Sequence, residues 1–226
     1  MNLIARIFNS TLGKKYIMAI TGFLLFGFVI VHLLGNLQVF VGSPTPINEY
    51  AHFLKAKPGI LWGARLGLLA IAILHVVTAY QLVARNRAAR PVKYGSGKAP
   101  VAASLSSRTT AISGTIVLVF IIFHLLHFTV GIVDSSLMAL EINGMHNVFG
   151  MMAQAFSNPF IAGFYLLSMA LLCMHLAHGV GSMFQSLGIK NGAYDSVINR
   201  LAKVAAIIIF LGNSAIVIAF LTRAIK

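Results

Sequence analysis

The sequence predicts an all-α membrane protein with five transmembrane helices, built as a single domain over residues 1–226. Three observations predict it. Of the 226 residues, 58% are hydrophobic and only 9% charged, and the mean hydropathy is +0.89, which excludes an ordinary water-soluble domain. The apolar residues gather into five runs, each near the roughly 20 residues a helix needs to cross a bilayer. Within hydrocarbon such runs must be helical, because their backbone groups have no other partners.

The first run is expected over 16–41. Arg6, Lys14 and Lys15 precede it without a small-residue cleavage site, and the run is too long for the apolar part of a secretory signal, so a retained N-terminus is expected. The second and fourth runs, 60–84 and 160–184, follow Pro58 and Pro159, and proline is tolerated at a helix start. The third spans 109–133 and the fifth 201–221. Between the second and third lies RNRAARPVKYGSGKAPVAASLSSR, rich in Pro, Gly, Ser and basic residues and read as an extended loop able to dock a partner. INEYAHFLKAK and MHNVFGMMAQAF are expected to form short helices in the membrane interface.

Lys and Arg set the orientation. Three stand in the N-terminal segment, six in 85–108 (Arg85, Arg87, Arg90, Lys93, Lys98 and Arg108) and three in the fourth connection (Lys190, Arg200 and Lys203), which makes twelve on one side. Opposite them are Lys55, Lys57, Arg223 and Lys226, while Arg65 falls inside the second span. The positive-inside rule puts the N-terminus in the cytoplasm and the C-terminus outside. The net charge of +13 does not indicate nucleic acid, because the basic residues sit between apolar runs and not along one polar face. Cys173 is the only cysteine, so an internal disulfide and covalent haem attachment through C-x-x-C-H are excluded.

Six of the eight histidines lie in apolar runs: His32, His75, His124, His127, His175 and His178. Ionisable residues in lipid are costly and usually face a bundle interior. A lone membrane histidine often only bonds to a neighbouring helix, for about 0.6 kcal/mol. Here the depths are paired. His32 and His124 each lie sixteen residues past Tyr16 and Arg108, about 24 Å along helices running the same way. His75 lies ten residues before Arg85 and His175 about as far from the end of its run, so both sit about 15 Å from the cytoplasmic end.

Four helices therefore offer two opposed pairs at two depths, which suits two stacked planar cofactors, each clamped between two imidazoles. Bis-histidine haem b fits, with His32 and His124 on one iron and His75 and His175 on the other. Gly22 precedes His32 by ten residues, as Gly114 precedes His124, and small residues such as Gly22, Gly35, Ala79, Gly114 and Gly179 allow a ring to approach the backbone. His127 and His178 follow their neighbours by one turn, either as alternative ligands or as partners that orient them. His52 and His146, in outer connections, are expected to be interfacial.

The order and spacing of VHLLGNL around His32, YAHFLKAKPG, ILHVVTAYQL around His75, SGTIVLVFIIFHLLHFTVG around His124 and NPFIAGFYLLSMALLCMHLAHG around His175 cover nearly the whole chain. Together they resemble the di-haem cytochrome b (b558-type) subunit of succinate dehydrogenases and fumarate reductases, found chiefly in bacteria that use menaquinone. The resemblance implies a cytoplasmic-membrane anchor with a proximal haem on His75 and His175, a distal haem on His32 and His124, and a menaquinone site near the distal one. It implies a flavoprotein (FAD) subunit and an iron-sulfur subunit on the cytoplasmic side, where the dicarboxylate chemistry would take place, and whole complexes that can oligomerise.

This chain has neither a dinucleotide fingerprint nor a cysteine cluster, so those centres would belong to partners. Some relatives in that family place a proton-path glutamate two residues before the fourth-helix ligand. Here the position is Cys173, and Glu49 stands roughly where another family glutamate serves the quinone. Competing expectations are a histidine-relay transporter, a transition-metal carrier using the i, i+3 histidines, and the haem-b subunit of another quinone-linked enzyme, such as a hydrogenase or formate dehydrogenase.

Overall fold

A computed structural model describes residues 8–89, 105–189 and 192–225, without the side chains of 105–109. Five helices are long and apolar enough to cross a membrane, so the chain is a multi-pass, predominantly helical membrane protein. They are α1 (Thr11–Asn36), α3 (Pro58–Ala88), α4 (Leu105–Leu125), α6 (Pro159–Ser186) and α7 (Asp195–Leu221). Two short helices, α2 (Thr45–Lys55) and α5 (Val148–Phe156), lie between spans. Most of the expected basic loop, with Arg6 and Lys190, lies outside the described residues.

Local chemistry accounts for the helix starts. Ser10 caps α1 by accepting the Gly13 N–H at 2.8 Å, and Asn158 caps α6 by accepting from Phe160 and Ile161, with Pro159 in the first turn. Side-chain oxygens at these positions satisfy amide groups that have no partner within the helix. Three spans are longer than hydropathy suggests: α1 takes in Lys14 and Lys15, α3 runs on through Arg85 and Arg87, and α7 takes in Arg200 and Lys203. Helical bonding continues into these basic segments, where Lys15, Arg87, Arg200 and Lys203 are exposed and Lys14 is buried.

The third span ends differently from expectation. After Leu125 the chain widens into a π-helical turn over Leu126–Val130, stopped by Gly131 at φ 78°. A 3₁₀ turn (Ser135–Ala139) follows, then a two-residue ladder pairing β1 (Glu141–Ile142) with β2 (Met145–His146). Asn143 and Gly144, at φ 51° and 72°, form the tight turn that Asn-Gly favours between strands. This ladder lies in a connection, and the described chain is predominantly helical. α5 is also more than an interfacial helix, since Phe149, Met151, Met152, Ala155 and Phe156 are all buried.

α6 is the central helix, packed against α1, α4 and α7. The main core joins Leu33 of α1, Phe120 of α4, Tyr165 and Met169 of α6, Phe156 of α5 and Ile209 and Phe220 of α7. α3 stands apart. It packs chiefly along α1, only Thr78 is buried along its 31 residues, and none of its apolar side chains joins a core.

What holds α3 is polar. Lys14 donates to the amide oxygen of Gln81, Arg85 donates to the Asn9 carbonyl at 2.9 Å, Thr21 bonds to His75 at 3.0 Å, and Tyr80 bonds to Thr115 of α4 at 2.8 Å. These contacts fix an antiparallel register between α1 and α3. They also mark a basic end of the bundle, where α1 and α7 begin.

Candidate functional site

The site is built from histidines on four helices, at two levels. Towards the end of the bundle where α1 finishes, His32 and His124 face each other with ring centroids 5.9 Å apart and planes at 87°. α1 and α4 run in the same direction, so residues equally far along each meet at one level. Phe28 stacks on His32 at 5.4 Å, while Phe120 and Phe128 flank His124, so the walls are apolar. Towards the basic end, His75 of α3 lies against Thr21 and Gly22 of α1, and His175 of α6 lies against Ser113 and Gly114 of α4.

Hydrogen bonding decides which nitrogen each basic-end ring presents. The Thr21 hydroxyl donates to the Ile17 carbonyl at 2.7 Å, which commits its one proton. Its contact with His75 Nδ1 at 3.0 Å is therefore an acceptance from Nδ1–H, which leaves Nε2 with a free lone pair. Ser113 repeats the arrangement: its hydroxyl donates to the Thr110 carbonyl at 3.1 Å and accepts from His175 Nδ1 at 3.3 Å. With Nδ1–H so engaged, Nε2 of both rings is the free acceptor.

Tyr165 sorts His124, on α4, from His127, in the π-helical turn after it. Its hydroxyl lies 3.0 Å from His127 Nδ1 and 3.4 Å from His124 Nδ1. A phenol has one proton, so it donates to one ring and accepts from the other. His127 is 2% exposed and its side chain is enclosed by Phe123, Phe128 and Tyr165. The shorter contact to buried His127 and the longer one to His124 share that single hydroxyl. The π-helical turn is what brings His127 inward, and such turns often occur at functional sites. His178, half-buried, contacts the Ser182 hydroxyl at 3.1 Å.

The remaining candidates lie elsewhere. Glu49 is exposed on α2, beside Tyr50, whose ring packs against Gly35 three residues past His32. Buried Asn48 anchors α2 by accepting the Phe149 N–H at 3.0 Å and donating to Asn147 at 3.2 Å. Cys173 is 2.9 Å from the Ala206 carbonyl and tethers α6 to α7. His146 is half-buried, and burial followed by the Lys55 charge holds its imidazole below the ordinary range. Among the described residues no three His, Cys, Asp or Glu side chains gather as a metal site.

Thr21 and Ser113, which touch two of the candidate rings, were passed over by sequence reasoning. The signal was present, since a hydroxyl residue precedes each of the two glycines noted there. No family model, curated protein or solved structure matches this chain.

Proposed function

We propose that this chain is the membrane-anchor and electron-transfer subunit of a succinate:menaquinone oxidoreductase or fumarate reductase in a bacterial cytoplasmic membrane. It would hold two haems b, one between His32 and His124 and one between His75 and His175. The observation that carries the proposal is the facing of His32 and His124 at one level, with His75 and His175 each bonded through Nδ1 to a hydroxyl at the other. His32 and His124, with ring centroids 5.9 Å apart, would hold one haem between them.

Two further features fit a porphyrin. The apolar face of α3 enters no protein core, so an apolar disc has a wall to lie against. Lys14 is 6% exposed and bonded to a neutral amide, a buried cation suited to a propionate.

When bound, haem supplies one-electron oxidation and reduction at potentials set by its ligands and surroundings. The chain's residues do the rest. His32 with His124, and His75 with His175, would hold the two haems at two depths. The basic end, cytoplasmic by charge bias, receives the flavoprotein and iron-sulfur subunits, where the dicarboxylate chemistry takes place. At the other end α2 covers the His32 level and carries Glu49 near the expected menaquinone, as a group able to take or give a proton. Cys173 offers no carboxylate on α6, so a glutamate path along that helix is not part of the proposal.

A histidine-relay transporter would favour broken helices near the midplane, yet α1, α3, α6 and α7 run unbroken over 26, 31, 28 and 27 residues. The test is a dithionite-reduced minus oxidised spectrum of the purified protein, with partner identification. Haem-b bands and copurification of a flavoprotein and an iron-sulfur subunit are expected. A colourless, fully folded native preparation would overturn the proposal, and haem with a hydrogenase or formate dehydrogenase partner would move the chain to that enzyme.

A further inference from the structure

α1 and α4 carry the same short pattern. Thr21-Gly22 is followed by His32, and Ser113-Gly114 by His124, with all three positions offset by 92 residues. In space each hydroxyl–glycine pair receives a histidine from the antiparallel helix beside it. Thr21 bonds to His75 Nδ1 and Ser113 to His175 Nδ1. A Cβ at Gly22 would lie 3.5 Å from His75 Cε1, and one at Gly114 would lie 3.2 Å from His175 Cε1. Each imidazole is therefore laid edge-on against a helix backbone, with its Nδ1–H held by a hydroxyl whose own proton is already donated.

We propose that Thr21 and Ser113 are positioning residues that fix the tautomer, the angle and the donor strength of His75 and His175. The inference rests on the haem reading above. An imidazole that donates its Nδ1–H is a stronger electron donor through Nε2. Stronger donation stabilises the oxidised metal and lowers the potential of the centre it binds. Both ligands of the basic-end centre are tuned the same way. At the other level only His124 has a hydroxyl near Nδ1, at 3.4 Å.

The glycines complete the seat. A methyl group at Gly22 would make an ordinary contact with His75, while one at Gly114 would press His175 from 3.2 Å and require the ring to yield by a few tenths of an ångström.

The test is a potentiometric titration of the haem absorbance in the full chain within its native complex, for Thr21→Val, Thr21→Ser, Ser113→Ala and Ser113→Thr, after a haemochrome count of the wild type. Thr21→Val and Ser113→Ala should each raise the same one of two midpoints and leave the other in place, while Thr21→Ser and Ser113→Thr hold the wild-type value. If Thr21→Val loses that haem but Thr21→Ser keeps it at the wild-type midpoint, the hydroxyl is again the group required.

Unchanged midpoints in Thr21→Val and Ser113→Ala, shifts in two different haems, or Thr21→Ser behaving as Thr21→Val would overturn the inference. A wild type without haem would instead fail at the first count, and that outcome refutes the function and not the positioning role alone.

Discussion

His124 and His127 differ by one turn, and what separates their roles is Tyr165. The phenol holds the buried nitrogen of His127 and leaves His124, the less enclosed ring, facing His32. Removing the hydroxyl strands a polar atom in the core, which costs about 1–3 kcal/mol. Tyr165→Phe is therefore expected to lower the thermal midpoint of the detergent-solubilised protein. In the double variant Tyr165→Phe/His127→Phe the loss should be smaller than the sum of the two single losses, because the stranded atom is gone.

The ligand candidates were legible in the sequence, since six ionisable rings in hydrocarbon need a reason and their depths pair by counting. Thr21 and Ser113 were not. A hydroxyl in a membrane helix can satisfy itself on its own backbone, as both do here, and the sequence does not show which of them also meets an imidazole.

At the scale of elements, all five spans followed from apolar runs, because lipid leaves the backbone no alternative to the helix. Their ends were less legible, since helical bonding continues into segments with basic residues such as Lys14 and Arg200. The π-helical turn was invisible, because the periodicity of Leu126–Val130 does not distinguish it from the helix before it. Gly131 stops that turn in a conformation with φ 78°, which L-residues adopt at a cost of about 1–2 kcal/mol. Gly131→Val should accordingly destabilise the protein by about that amount or more in thermal denaturation, whereas Gly27→Ala, where a Cβ meets nothing within 4 Å, should be close to neutral. A Gly131→Val protein as stable as the wild type would mean the turn is not held as described.

For the whole molecule, the division of labour is between a packed half and an open one. α6, α7, α4 and α1 share a core with buried α5, and α3 is held by hydrogen bonds along α1 with its apolar surface outside every protein core. In water such a helix would detach. In a membrane its outer face meets lipid, and its inner face carries His75 towards the level of His175. Of the twelve basic residues assigned to one side by sequence, Lys14, Lys15, Arg85, Arg87, Arg200 and Lys203 lie at the starts of α1 and α7 and the end of α3, while Arg6, Arg90, Lys93, Lys98 and Lys190 lie outside the described residues.

The central claim is that two irons are each gripped from both sides, and a haem count across six single substitutions tests it most directly. His32→Ala and His124→Ala should each lose the same haem, His75→Ala and His175→Ala should each lose the other, and His127→Ala and His178→Ala should keep both. Retention of two haems in every variant, or losses that pair His32 with His75, would contradict the account.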